Sequence, residues 1–184
     1  MKIIPRLITP LVLLATLACS NAQAQDRSLL VFEPGTRWVF INGAEFPPGG
    51  KGNFELKEAE NGMPEGVLNY DFSLGGKYVG AETRVDLPDG YSELRIRAKA
   101  EQALTLGLRL KDSTGQVHQW QLAYADAGKW QTLRVKLGAR APQHFSGAND
   151  AVLHYPVKSL QILVNNRQIE MPSGLSIADL KLLK

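Results

Sequence analysis

Leu104-Thr105-Leu106-Gly107-Leu108-Arg109-Leu110-Lys111-Asp112-Ser113-Thr114-Gly115-Gln116-Val117-His118-Gln119-Trp120-Gln121-Leu122-Ala123 reads as two strands, 104–111 and 117–123, folded back on each other. Apolar residues recur at every second position of the first arm, the period of a strand with one buried face. Ser113-Thr114-Gly115 supplies a type I turn closed by a glycine in the left-handed region, which makes a three-residue hairpin loop. The loop sets the register. If Asp112 opposes Gln116, then Leu110 opposes His118, Arg109 opposes Gln119, Leu108 opposes Trp120, Gly107 opposes Gln121 and Leu106 opposes Leu122. One face of the hairpin is therefore apolar and carries Trp120, and the other carries Arg109, Gln119 and Gln121.

The same period runs outward through the chain. Strands are expected at 29–33, 54–59, 67–72, 78–87, 93–100, 104–111, 117–123, 131–137, 159–164 and 175–182, with no long stretch of helical period. Breakers such as Pro47-Pro48-Gly49-Gly50, Gly75-Gly76, Pro88-Asp89-Gly90 and Pro172-Ser173-Gly174 separate them at intervals of about ten residues, the spacing of a sandwich or barrel. Alternation turns Leu68, Tyr70, Val79, Ala81, Leu94, Ile96, Leu133, Val135, Leu160 and Ile162 inward.

The opposite parity gathers Asn69, Asp71, Tyr78, Glu82, Arg84, Arg95, Arg97, Arg109, Gln119, Gln121 and Arg134 onto one polar face, provided that those strands share a sheet. Two readings fit that face. It is a solvated surface laced by cross-strand pairs such as Glu82 with Arg84 or Arg97, or it is a groove for sugars, whose hydroxyls each donate and accept and so call for planar Arg, Asn, Gln and carboxylate groups. Tyr78 and Trp130 are the rings available to stack on a pyranose. The long connection 138–156 adds His144, Asn149 and Asp150 as candidate contacts, because long ordered loops are often functional.

The first 24 residues form an export signal: Lys2 and Arg6 precede an apolar run too short and too interrupted by proline to span a membrane. Cleavage after Ala22-Gln23-Ala24 gives a soluble periplasmic or secreted protein. Cleavage before Cys19, in Leu17-Ala18-Cys19-Ser20, gives instead a lipid anchor and an outer-membrane lipoprotein. Residues 25–184 are expected to form a single domain. Cys19 is the sole cysteine, which excludes a disulfide, a thiolate zinc site and a thiol nucleophile from the folded part. Removing the signal leaves 19 basic against 18 acidic residues, a net charge of +1 that gives no reason to expect a nucleic-acid partner.

No G-x-S-x-G elbow is present, and the three histidines, His118, His144 and His154, match no common zinc spacing. A glycosidase needs two carboxyl groups flanking a cleft, and the sequence leaves open a pair such as Asp71 with Glu82.

Several segments resemble the galactose-binding-like jelly-roll modules appended to bacterial glycoside hydrolases. They are Leu30-Val31-Phe32-Glu33, the run from Leu68 to Val79, the Asp112-Ser113-Thr114-Gly115-Gln116 hairpin, His144-Phe145-Ser146-Gly147-Ala148-Asn149-Asp150 and Ile177-Ala178-Asp179-Leu180. The resemblance implies an all-β, two-sheet jelly-roll β-sandwich that binds a cell-wall or exopolysaccharide glycan without cleaving it. It also implies a structural calcium held by Glu33 and Asp179, and a separate glycoside hydrolase or envelope protein as partner. An envelope protein-interaction module and a small glycan-active hydrolase or lyase using Asp71, Glu82 or His144 are the alternatives.

Overall fold

The computed structural model describes residues 26–59, 62–169 and 171–184. The expected export signal, with Cys19, lies outside them. Among the described residues twelve strands follow one another: β1 (Arg27–Ser28), β2 (Trp38–Ile41), β3 (Lys51–Glu58), β4 (Pro64–Asp71), β5 (Tyr78–Leu87), β6 (Glu93–Ala100), β7 (Leu104–Lys111), β8 (Val117–Tyr124), β9 (Gln131–Lys136), β10 (Gln143–Phe145), β11 (Val157–Asn165) and β12 (Ser173–Leu183). One 3-10 turn, Asn166–Gln168, separates the last two. Among the described residues no helix is long and apolar enough to cross a membrane.

The strands form two antiparallel sheets. The first has the order β3-β4-β12-β6-β9, with β1 paired to the far end of β12, and the second has the order β10-β8-β7-β11-β5-β2. The hairpin register is the expected one at every pair from Lys111–Val117 to Leu104–Tyr124. Leu106, Leu108, Leu110, Trp120 and His118 consequently face the other sheet, where Leu68, Ile96, Ala98, Leu175 and Ile177 meet them, all buried. Each fully buried Leu or Ile removes enough apolar surface to stabilise the fold by about 1.5–3 kcal/mol, so the alternation itself holds the two sheets together.

Three elements differ from the sequence reading. Residues 29–33 are not a strand: Leu29 N–H bonds Leu180 O at 2.8 Å, and the segment then leaves the sheet edge while Leu29, Val31 and Phe32 stay buried. Their apolarity reflects burial under a stack of rings, Phe32 on Trp38 at 5.7 Å and Trp38 on Phe54 at 4.6 Å. β2 and β10, both at edges of the second sheet, were not anticipated, because runs of three or four residues are too short to reveal a period.

The floor of the second sheet's outer face depends on glycine. Leu163, paired with both Gly107 and Gly80, lies flat over them, and a Cβ on Gly80 would stand 2.6 Å from Leu163 Cδ2 and 2.7 Å from the Ile162 carbonyl oxygen. Gly80→Ala is therefore expected to lower stability by about 1–3 kcal/mol, as overpacked sites do, read as a lower urea midpoint with an unchanged slope.

Candidate functional site

The two sheets divide the single polar face expected from parity. Asn69, Asp71, Arg95, Arg97 and Arg134 belong to the first sheet, whereas Tyr78, Glu82, Arg84, Arg109, Gln119 and Gln121 belong to the second. Period two assigns a side chain to a face but does not say which sheet its strand joins. The expected Glu82–Arg97 pair is thereby ruled out. Glu82 sits opposite Gln161 on one side and Val39 on the other.

On the second sheet, register lines up Gln143, Gln119, Arg109, Gln161 and Glu82 in one row across β10, β8, β7, β11 and β5. Above this row and its neighbour lies a groove of about 920 Å³ lined by Glu45, Phe46, Lys77, Tyr78, Thr105, Arg109, Gln119, Gln121, Gln143, Phe145, Asn165, Asn166 and Arg167. That size suits several sugar rings or one small ligand.

A chain of polar contacts spans it. Gln119 Nε2 donates to Gln143 Oε1, and Arg109 Nε donates to Gln119 Oε1 at 2.5 Å. The Arg109 guanidinium lies 5.4 Å from the centre of the Tyr78 ring and 5.6 Å from that of Phe145, and the Tyr78 hydroxyl donates to Glu45 Oε1. Four strands and the 42–50 loop thus hold one connected set of planar groups. The bond from Tyr78, with help from nearby Arg109, keeps the Glu45 carboxyl below the usual carboxylate range. Burial first, and then the bond to Glu45, raises the Tyr78 phenol, so near neutrality Tyr78 is a neutral donor and Glu45 an anion.

Two rings border the groove. Phe46 is 37% exposed and Phe145 is 42% exposed. Phe46 meets Tyr78 edge-on at 6.4 Å and carries the Lys77 ammonium 4.0 Å above its face. Large rings left half open beside aligned amides are what a pyranose face can stack on while its hydroxyls are hydrogen-bonded.

Of the expected contacts, Tyr78, Arg109, Gln119 and Gln121 line this groove, and Glu82 and Arg84 lie on the same outer face beyond its lining. The others serve elsewhere. Asp71 ends β4 and accepts the Ser73 N–H at 2.8 Å, a turn-forming role on the other sheet. Arg97 and Trp130 belong to a second hollow, of about 590 Å³, on the outer face of the first sheet, where the Arg97 guanidinium lies 5.0 Å from the indole centre. His144 pairs with His118 and so has inward parity. Asn149 and Asp150 shape the loop after β10: Asn149 has φ 52°, and Asp150 accepts from Val152 N–H at 3.0 Å and contacts His154 Nε2 at 2.9 Å.

Of the pair expected to hold calcium, Asp179 lies on β12 and Glu33 outside the strands. Calcium takes about six to eight oxygens, backbone carbonyls among them, and among the described residues no group of three or more His, Cys, Asp or Glu side chains is placed to hold a metal. Asp179 pairs with Lys181 Nζ at 3.0 Å and occupies, at φ 51°, the register shift of β12 against β6. Aspartate tolerates that left-handed conformation, which gives Asp179 a backbone role of its own. Glu33 lies in a turn, its carbonyl bonded by Thr36 N–H.

Sequence reasoning missed Glu45, Phe46, Lys77, Gln143, Phe145, Asn165, Asn166 and Arg167. All lie at strand ends or in loops. The alternation of Gln143 and Phe145 about His144 was the one available signal, three residues long.

No protein-family model matches the chain, and no curated protein matches it. Among solved structures it is similar to the family 11 carbohydrate-binding module from Clostridium thermocellum in complex with a β-1,3-1,4-mixed-linked tetrasaccharide, with a TM-score of 0.65 and 14% identity over 86% of this chain and 95% of that one. The family 11 module of a cellulosomal cellulase from the same organism gives 0.63 and 14%, over 86% and 94%. An agarase gives 0.56 and 13%, over 86% of this chain and 24% of the agarase. At such identities the likeness establishes the shared fold, a two-sheet β-sandwich.

Proposed function

We propose that this protein binds a polysaccharide along the outer face of its second sheet and does not cleave it. The observation that carries the reading is the connected set Glu45, Tyr78, Arg109, Gln119 and Gln143, fixed across four strands and bordered by two half-exposed rings. Groups already hydrogen-bonded to one another lose little freedom when a ligand arrives, which favours binding of a flexible polymer. The sandwich fold shared with the family 11 module, solved in complex with a tetrasaccharide, supports the same reading.

The lining supports a reading without a cleavage step. Glycoside hydrolysis uses two carboxyl groups across the scissile bond. The groove lining contains one, Glu45, whose carboxylate is bonded by Tyr78 and held ionised, so it is a poor general acid. Asp71 is on the other sheet.

The pattern of residues 1–24 supports export as part of this reading, to the periplasm or beyond it, with the soluble and the Cys19-anchored forms separable by the mass of the mature protein.

Removing an exposed ring tests the stacking role. Phe145→Ala and Phe46→Ala are each expected to weaken retention on the bound polysaccharide by about 5- to 30-fold, the equivalent of about 1–2 kcal/mol, with melting temperature little changed. Affinity electrophoresis against a panel of plant and bacterial polysaccharides reads it. Unchanged mobility shifts in both variants, or co-purification of a stoichiometric protein partner with no retention on any glycan, would overturn the reading.

A further inference from the structure

We propose that the polysaccharide bound in this groove is anionic, carrying a carboxylate or a sulfate ester on its sugars, and that Arg109, Lys77 and Arg167 read that charge. The inference rests on the glycan-binding reading above and narrows it to a substrate class.

The two outer faces of the sandwich supply the contrast. The hollow on the first sheet sets Lys57, Arg97 and Lys99 against Glu58, Glu65 and Glu101, and Lys57 lies 3.5 Å from Glu65. Its charges balance. The groove on the second sheet sets three cations against Glu45 alone, and the Glu45 carboxylate is bonded by the Tyr78 hydroxyl. Among the described residues, Arg95, Arg134, Lys158 and Lys181 each lie within 4 Å of a carboxylate, whereas the three cations of this groove form no such pair. Beyond the groove on the same face, Lys111 and Arg84 flank Ser159, two cations against the one carboxylate of Glu82 in the adjoining row.

How two of these cations are held matters as much as their number. Arg109 lies over the faces of Tyr78 and Phe145, and Lys77 over Phe46. An aromatic face positions a cation without cancelling its charge, so the groove presents fixed positive charge in excess of its one carboxylate. With Nε engaged by Gln119, the guanidinium still has N–H groups free to fork onto a planar anion. A neutral glycan laid over Arg109 would strip water from it and return only hydroxyl contacts; a charged one would return a charge-assisted pair. Balanced charge on the other face provides an internal control.

The test is titration calorimetry of the purified protein with three polymers: polygalacturonate, a sulfated galactan and neutral mixed-linkage β-glucan, each at about 50 and about 500 mM NaCl. The expected result is that at least one anionic polymer binds at least about 10-fold more tightly than the glucan and loses about 10-fold or more on raising the salt. The preferred polymer distinguishes carboxylate from sulfate. Arg109→Gln is expected to cut that affinity about 10-fold and Arg109→Lys less. Arg167→Gln, at an exposed position that does not endanger folding, is expected to cut it about 3-fold, and Arg97→Gln on the balanced face to leave it unchanged. Equal, salt-insensitive binding of the neutral glucan would overturn this inference and leave the glycan-binding reading standing. Binding of none of the three polymers, and of no other glycan in the panel above, would remove both.

Discussion

Asp112→Ala is expected to lower unfolding free energy by about 3–5 kcal/mol, because it orphans several buried donors at once. Asp112 is 2% exposed. Its carboxylate accepts from Thr114 N–H at 2.9 Å, Thr114 hydroxyl at 2.8 Å, Gln116 N–H at 3.0 Å and His154 N–H at 3.2 Å, with His118 Nε2 at 3.3 Å. It therefore ties the hairpin loop to the segment after β10, which is also held by Ser113 N–H on His154 O and by Ala148 N–H on the Thr114 hydroxyl. Asp112→Asn should recover only part of the loss, since its amide NH₂ would face donors. Urea denaturation reads both. β10 carries Gln143 and Phe145 of the groove, so the destabilised variant should also bind glycan more weakly.

The same carboxylate sets an acid limit. Burial alone would raise the Asp112 carboxyl, but the bonds from Thr114, His154 and His118 outweigh it and hold it below the usual range. Asp150 is lowered to about 2, chiefly by Val152 N–H and then by His154. A carboxyl with a depressed folded pKa contributes stability that is complete above its unfolded value of about 3.9 and is lost as pH falls through the folded value. The wild-type protein should therefore lose stability between about pH 4 and about pH 2. Asp112→Ala should show a shallower loss over that window. An equally steep acid limb in the variant would mean that Asp112 is not the group responsible.

Arg109→Glu is expected to reduce glycan affinity by about 100-fold or more, the equivalent of at least about 2.7 kcal/mol. Three changes act together. The bond to Gln119 is lost, the cation leaves the faces of Tyr78 and Phe145, and a second carboxylate appears near Glu45. Arg109 lies on the outer face and forms no ion pair of its own among the described residues, so the folded state should lose far less than the complex. Calorimetric titration beside a thermal melt separates the two. Unchanged affinity with an unchanged melt would remove Arg109 from the site.

Much of the fold was legible because local chemistry determined it. Asp112-Ser113-Thr114-Gly115-Gln116 fixed one register, and from it followed the inward Trp120 and His118 and the outward Arg109, Gln119 and Gln121. Alternation then sorted residues correctly into inner and outer faces along β4, β5, β6, β9 and β11. It could not place β11 between β7 and β5, because such pairing joins strands far apart in sequence and depends on burying both sheets together. That is why Asp71, Arg97 and Trp130 were grouped with a face they do not share. The groove itself was only half legible: its floor comes from long strands of clear period, while Glu45, Phe46, Asn166 and Arg167 come from turns whose course is set by what they pack against.

The central claim, that the outer face of the second sheet binds glycan, is tested most directly by amide chemical-shift mapping of the ¹⁵N-labelled protein during titration with an oligosaccharide of the retained polymer. The expected shifts cluster at Thr105–Arg109, Gln119–Gln121, Gln143–Phe145 and Asn165–Arg167, with the amides around Arg97 and Trp130 unmoved. Shifts confined to the Arg97 and Trp130 side would contradict it.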